Sequence, residues 1–358
     1  MSRSNERHLK KILIYLGESV TDEVFTGVSP DYRNAPFAIL KQSLLEHGCD
    51  LQLLRNDNLS PDCDRVLFTN TGMFTDFRSW PRKAASAILR FVKGNTDRHH
   101  DWLRLCLAKV PREKLALFLW EGPAVNPWSY NRSLLSVFPL IFTWNDDLVD
   151  NKKYRKFFMP IAPREPSPRF VPFERKKLLV NISMNKTSTF PRELYSARER
   201  TILFFDEHHP TDFDHYGVGW ETYPKKINCY RGTINSKRDV LPNYKFCLAY
   251  ENLAGEKGYI TEKIFDAMQY GTVPVYLGAP NITDYVDADT FVDRRQFASE
   301  EALAKFLYGR TAGDYEAYLS AISRYLSGDK FARFSSESFV ATVTETLGLA
   351  QGWPPELN

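Results

Sequence analysis

Two α/β domains, each on a mostly parallel sheet, are what this sequence predicts, on three observations. The chain has 358 residues, more than one ordinary core holds and enough for roughly two domains at about 100 to 200 residues each. Short apolar runs alternate with helical patterns along most of its length, which is the signature of strand–helix–strand units. Five prolines fall within thirteen residues, PIAPREPSPRFVP from Pro160 to Pro172, a density that neither a helix nor a central strand tolerates. That stretch divides the chain into domains 1–160 and 176–350, joined by a linker at 161–175.

The elements follow in order. Lys11 to Leu16 (KILIYL) is an apolar run closed by Gly17, the form of a first strand buried on both faces. A helical pattern runs from about Pro36 to His47, with Gly48 as a C-terminal cap. Further strands are read at LQLL (51–54), RVLFT (65–69), LALFL (115–119), LIFTW (140–144) and KFFMP (156–160). After the linker the alternation restarts with KLLVNI (177–182), a helix around Arg192 to Phe205, FDHYGV, KFCLAY, a helix after Thr261, TVPVYLG, and a mainly helical end from about Glu300.

Composition removes several function classes. Hydrophobic residues make up 43% and charged residues 25%, the balance of a soluble globular protein. A net charge of +3 gives no global field for nucleic acid. Five scattered cysteines, Cys49, Cys63, Cys106, Cys229 and Cys247, are odd in number and sit mostly in apolar runs, so they read as buried thiols. The histidines, His99 and His100, His208 and His209, and His215, lack the spacing of a zinc site. No run approaches the roughly 18 apolar residues of a membrane span, and the polar N-terminus leads into a strand. The expected location is cytoplasmic, with peripheral membrane contact left open.

The most informative stretch is Tyr244 to Gly278, YKFCLAYENLAGEKGYITEKIFDAMQYGTVPVYLG, which reads as strand, polar loop, helix, strand. Such a turn lies beyond a strand's carboxyl end and beside a helix N-terminus, where α/β proteins bind nucleotides. Thr261 occupies the N-cap position and Gly271 the C-terminal end, while Ile264, Ala267 and Met268 form the inward stripe. Lys263 in the first turn opposes the helix dipole unless an anion binds there, so it is a phosphate ligand or a solvated surface lysine. Glu262 suits a ribose diol, or it is an ordinary first-turn acid. Tyr250 and Tyr259 offer ring faces and hydroxyls for a base or ribose, or they are core residues.

YKFCLAYEN followed by GYITEKIFDAMQYGTVPVYLGAP closely resembles the signature of the α-1,3-fucosyltransferases of glycosyltransferase family ten, YKF-x-L-x-[FY]-E-N, [DG]-Y-[IV]-T-E-K and [VI]-P-[VI]-x-x-G. Weaker resemblance runs from about Leu115 to Asp293. The resemblance implies a GT-B fold, two Rossmann-like domains across a cleft, with the donor in the C-terminal domain and the acceptor mainly on the N-terminal one. It implies GDP-fucose as donor, Lys263 on the pyrophosphate, Glu262 on the ribose, and Asn252 and Tyr259 completing the donor site. A helix arginine also contacts the phosphates in the family, which places Arg198 at that role with Arg200 as its understudy. Glu121, after LALFLW and before Gly122 and Pro123, matches the family's general base.

The implied reaction is inverting transfer of L-fucose to a hydroxyl of a glycan containing N-acetylglucosamine, through α-1,3 or α-1,4 linkage. Another nucleotide sugar, or a non-catalytic binding module on the same scaffold, are the alternatives. Base and leaving-group cations belong on opposite walls in such chemistry. The acidic triplets DFD (212–214) and DAD (287–289) are taken as chance patterns, and catalysis without metal is expected. Trp120, Trp128 and Trp144 lie near Glu121 in sequence, with acceptor stacking or core packing open for each. Leu253 stands where the family usually has serine, the loop Leu253 to Gly258 is one residue longer, and Asp266 replaces a common arginine or asparagine. The end, GWPPELN, lacks the repeat and basic tail of some bacterial members, so membrane docking is not expected, and the absence of the N-terminal anchor of Golgi relatives favours a bacterial-type soluble enzyme.

Overall fold

The structure, a computed structural model, describes residues 9–69, 99–161 and 171–349 except 18, 30 and 32, and no side chains for 99–101. Most of the proline-rich linker, 162–170, therefore lies outside the described residues, as do the first eight residues, the last nine and the side chains of His99 and His100. The chain divides into two compact units. One comprises Met1–Gly27, Phe37–Phe157 and Val340–Asn358, the other Val28–Pro36 and Phe158–Phe339.

The first unit carries β1 (Lys10–Tyr15), α1 (Ala35–Glu46), β2 (Cys49–Leu53), β3 (Arg65–Phe68), α2 (His99–Lys109), β4 (Leu115–Leu119), α3 (Arg132–Val137), β5 (Leu140–Thr143) and β6 (Tyr154–Lys156). Its six strands are all parallel in the order β2-β1-β3-β4-β5-β6. Every residue of LALFL in β4 is buried, because helices or loops cover both faces of a parallel sheet and leave no polar side to alternate with. The core gathers Leu13, Val66, Leu117, Leu119 and Ile141.

The run KFFMP does not form the expected strand at 156–160. Strand β6 covers Tyr154–Lys156 instead, and Pro160 offers no N–H for continued pairing. The run's apolar residues are used in packing: Phe157 meets Phe118 at 5.7 Å within the first unit, and Phe158 meets Phe334 at 5.0 Å within the second.

The second unit carries β7 (Lys177–Ile182), α4 (Tyr195–His208), β8 (Phe213–Tyr216), β9 (Tyr244–Tyr250), α5 (Glu262–Gln269), β10 (Val273–Leu277) and β11 (Val292–Asp293). Four helices end it: α6 (Glu300–Tyr308), α7 (Ala312–Leu326), α8 (Asp329–Ala332) and α9 (Ser336–Thr346), the last crossing into the segment assigned to the first unit. The five strands are parallel in the order β11-β10-β9-β7-β8. From β7 the chain goes outward to β8 and then returns to β9 on the other side, so the strand order reverses between β7 and β9. In open α/β sheets, that reversal opens a crevice at the strands' carboxyl ends.

The helix expected from Arg192 begins at Tyr195, because the residues before it have other partners. Arg192 has φ 66°, its carbonyl accepts from the Ala254 amide at 2.8 Å, and the Leu194 amide donates to the Asn252 carbonyl at 3.0 Å. Beyond β8, Gly217 comes so close to β7's extension that an added Cβ would lie 1.8 Å from the Ser183 carbonyl oxygen. Only glycine permits that approach. All five cysteines are buried and free. Among the described residues no helix is long and apolar enough to cross a membrane. The fold is GT-B, two Rossmann-like α/β units with parallel sheets.

Candidate functional site

The turn between β9 and α5 is organised around Glu251, the residue after the strand. Its side chain is fully buried, and its amide donates to the Leu277 carbonyl of β10's end at 2.8 Å. One carboxylate oxygen accepts from the Thr261 amide at 2.8 Å and the other from the Thr261 hydroxyl at 2.7 Å. Thr261 sits at the N-cap position with extended backbone, yet its hydroxyl caps nothing; it is committed to Glu251. Lys263 closes the group, donating to Thr261 Oγ1 at 2.8 Å and lying 3.3 Å from Glu251 Oε2. Burial pushes the Glu251 carboxyl up, Lys263 pulls it back, and Glu262 pushes it further up. Such a buried acid is tolerable only because its oxygens are saturated.

Arg198 approaches from α4. It is 5% exposed, and its Nη2 donates to the carbonyls of Tyr250 at 2.7 Å and Glu251 at 3.0 Å. Arg200, two residues on, is exposed, so only Arg198 is turned into the site. The Tyr250 ring is a core residue, with its hydroxyl 3.3 Å from Thr201 Oγ1. Asn252 is half-buried and its Nδ2 lies 3.5 Å from the buried Tyr259 hydroxyl. Glu262 is partly exposed, 3.6 Å from Lys263. Leu253 is buried and pairs across to Glu193, which ties the polar loop to the entry of α4.

A cavity of about 30 Å³ lies at the β7–β9 reversal, and Arg198, Lys237, Lys263, Asp266 and Asn181 are among its walls. Of the sequence-derived candidates, Arg198, Tyr250 and Lys263 line this cavity; Glu262 lies beside Lys263, and Asn252 and Tyr259 meet each other outside the lining. Three cations from separate elements around one small space favour a negatively charged group there.

Glu121 belongs to the other unit. It follows β4 by two residues, its carbonyl accepts from the Tyr130 hydroxyl at 2.8 Å, and the turn after it is closed by the Val125 and Asn126 amides donating to the Gly122 carbonyl at 2.9 and 3.0 Å. Trp144 is buried and Trp120 stacks on Phe37 at 5.6 Å, whereas Trp128 is 44% exposed. The acidic triplets are engaged by cations: Asp214 by Lys177 and Arg231, Asp287 by Lys330 and Asp289 by Arg324. Among the described residues no three His, Cys, Asp or Glu side chains converge as a metal set.

Two features were not assigned from sequence. Glu251 was visible as part of YEN, but a single acid after a strand does not announce that it will be the hub; its link to Thr261 spans ten residues. Lys237 lies in NSKRD, and nothing local pairs it with Asp266.

Residues 175–330 match the family described as glycosyltransferase family 10 (fucosyltransferase), C-terminal domain. Human GDP-fucose protein O-fucosyltransferase 3 is 36% identical over 263 residues, covering 71% of this chain and 48% of that protein. The α-(1,4)-fucosyltransferase of Arabidopsis thaliana is 42% identical over 79 residues, 22% of this chain and 19% of its own. The Helicobacter pylori α-(1,3)-fucosyltransferase FucT is 37% identical over 79 residues, 22% and 16%. This chain thus spans at most about half the length of these relatives. Among solved structures, an α1,3-fucosyltransferase with GDP-fucose superposes with a TM-score of 0.55 at 15% identity, covering 100% of this chain and 95% of that one. Anabaena Alr3699/HepE in complex with UDP and glucose gives a TM-score of 0.53 at 12% identity, over 95% and 99%. At those identities the likeness speaks for the fold.

Proposed function

We propose that this chain, whose residues 175–330 match the C-terminal domain of glycosyltransferase family 10, transfers L-fucose from GDP-fucose to an acceptor hydroxyl with inversion at the anomeric carbon. The observation that carries this reading is the cavity at the β7–β9 reversal, where Arg198 and Lys263 stand together beside the Glu251 hub. In the proposed reaction Glu121 takes the proton of the acceptor hydroxyl, and the freed oxygen attacks the anomeric carbon. The bond from that carbon to the β-phosphate oxygen breaks, and its electron pair leaves with GDP. Arg198 and Lys263 stabilise the charge that develops there. Glu262 takes the ribose diol, and Tyr250, Asn252 and Tyr259 complete the donor site.

The acceptor on this reading is an N-acetylglucosamine-containing glycan, fucosylated through α-1,3 or α-1,4 linkage. A second reading, a protein hydroxyl, is favoured by the likeness to protein O-fucosyltransferase 3 over most of the chain. We also infer that the reaction needs no metal and takes place in the cytoplasm, where five free thiols persist reduced. The deciding experiment measures GDP release from GDP-fucose and from GDP-mannose, with N-acetylglucosamine glycans, with a serine- and threonine-containing protein domain, and without acceptor. Acceptor-dependent release from GDP-fucose alone is expected. Nucleotide binding without turnover across all acceptors would leave only a binding module, and activity lost in chelator and restored by manganese would overturn metal independence.

A further inference from the structure

We propose that Lys237 is a third diphosphate-binding cation of the donor site, and that Asp266 is the positioning residue that holds it there. The proposal rests on the donor-site reading above but names residues that reading does not use.

Lys237 comes from an element separate from those of Arg198 and Lys263. It opens a short 3-10 turn, Lys237–Asp239, ahead of β9, capped by the Ser236 side chain. That turn is itself anchored: Ser236 Oγ donates to Asp31 Oδ1 at 2.8 Å and the Lys237 amide to the same oxygen at 3.2 Å. The long side chain then runs to Asp266, with Nζ 2.5 Å from Oδ2. Asp266 lies one helical turn beyond Glu262 on α5 and is 2% exposed, so its carboxylate is fixed by the helix.

Lys237, Lys263, Arg198 and Asp266 all line the one cavity. Three cations therefore converge on one space from three separate elements, with Asp266 on the same lining and Glu251 and Glu262 beside Lys263. A partly buried lysine–aspartate pair is by itself a poor source of stability, because the cost of desolvating both charges offsets their attraction. Its position is better explained by what Asp266 does for Lys237. The aspartate keeps the ammonium charged and pointed into a desolvated space, where an anion is bound more strongly than in water. Burial lowers the affinity of Lys237 for its proton, but Asp266 and Glu262 more than restore it, so the group arrives as a cation.

Calorimetric titration of the full chain with GDP, UDP and guanosine tests this in the wild type, Lys237→Met, Lys237→Arg and Asp266→Asn. Lys237→Met is expected to weaken GDP binding by roughly tenfold or more while leaving guanosine binding unchanged, and Lys237→Arg to keep most of the GDP affinity. Asp266→Asn is expected to weaken GDP binding by a smaller factor, to spare guanosine, and to raise the donor KM with kcat little altered. Equal losses for GDP and guanosine in Lys237→Met and Asp266→Asn, tracking a fall in Tm, would reduce the pair to a structural brace and overturn the proposal. So would a Lys237→Arg or Asp266→Asn protein that binds GDP normally alongside an unaltered Lys237→Met. A wild type that prefers UDP would overturn the GDP-fucose reading yet keep this one if Lys237→Met still discriminates against the diphosphate. A wild type binding no nucleoside diphosphate would overturn both.

Discussion

Lys263 stands between two carboxylates whose surroundings drive them apart. Glu251 is buried and its carboxyl is pushed up, whereas Glu262 is half-exposed and, although burial works against its charge, Lys263 and Lys237 hold it down to about 2. Glu262 is therefore ionised at neutral pH and suited to accept two hydroxyl protons from a ribose, while Glu251 serves as an internal brace. Lys263→Ala is expected to weaken GDP binding by roughly 10- to 100-fold, the range of a lost charge-assisted hydrogen bond. It also strands the buried Glu251 without its cation, so lost stability contributes to the effect. The double variant Lys263→Ala/Glu251→Gln separates the two: it should recover Tm without recovering GDP affinity. For Glu121 the expectation is the converse. Glu121→Gln should cut kcat by about 10²- to 10⁴-fold with GDP affinity unchanged, and full turnover in this variant would exclude Glu121 as the base.

At the scale of elements, the proposed donor site depends on three segments meeting at strand ends: the tail of β9, the N-terminus of α5, and the exit of β10 at Gly278. An added Cβ on Gly278 would lie 2.5 Å from both Glu251 Cγ and the Tyr276 hydroxyl oxygen. Glu251 and Tyr276 are buried and cannot swing aside. Gly278→Ala should therefore cost about 1–3 kcal/mol by overpacking and displace the Glu251 hub, so chemical denaturation and GDP titration should both register it. Unchanged GDP affinity with lowered stability would mean that the hub does not position Lys263. These elements were readable from sequence to different degrees. LALFL and KFCLAY are buried on both faces, so their apolar character alone marks them as strands. KFFMP has the same composition but ends in proline and is used for packing. The Thr261–Lys263 helix start was legible from its residue pattern, but the use of Thr261 was not, since its hydroxyl turns back to an acid ten positions earlier. Lys237 and Asp266 are 29 residues apart, and only the fold makes them neighbours.

For the whole molecule, the second unit carries a pH liability in its core. His215 on β8 is fully buried; its Nδ1 lies 2.9 Å from Asn181 Nδ2 and 3.4 Å from the Asn181 carbonyl oxygen. Nε2 finds no hydrogen-bond partner among the described residues, and the ring meets Trp220 edge-on at 4.5 Å. Burial is the main reason that its pKa falls from 6.5 to about 4; the contact with the Asn181 backbone carbonyl opposes the fall, the nearby Arg198 adds to it and Asp206 opposes it. The sign follows from which state takes the proton. Unfolded chains protonate this histidine near pH 6.5, while the folded protein resists until about pH 4. Above pH 6.5 neither state pays, and stability is undiminished. As pH falls from 6.5 to 4 the unfolded state is favoured progressively, by up to about 3 kcal/mol. Guanidinium unfolding of the wild type and of His215→Asn at pH 7 and pH 4.5 isolates this share from that of the carboxylates. The variant should be less stable at pH 7 through lost packing, but its further loss on acidification should be smaller by about 2 to 3 kcal/mol. Parallel acid sensitivity in the two proteins would mean that His215 titrates alike in the folded and unfolded states. Because Asn181 lines the proposed donor cavity and is hydrogen-bonded to this ring, protonating His215 in the folded protein should also loosen the nucleotide site, so GDP affinity should hold through pH 6 and fall only as the pH approaches 4.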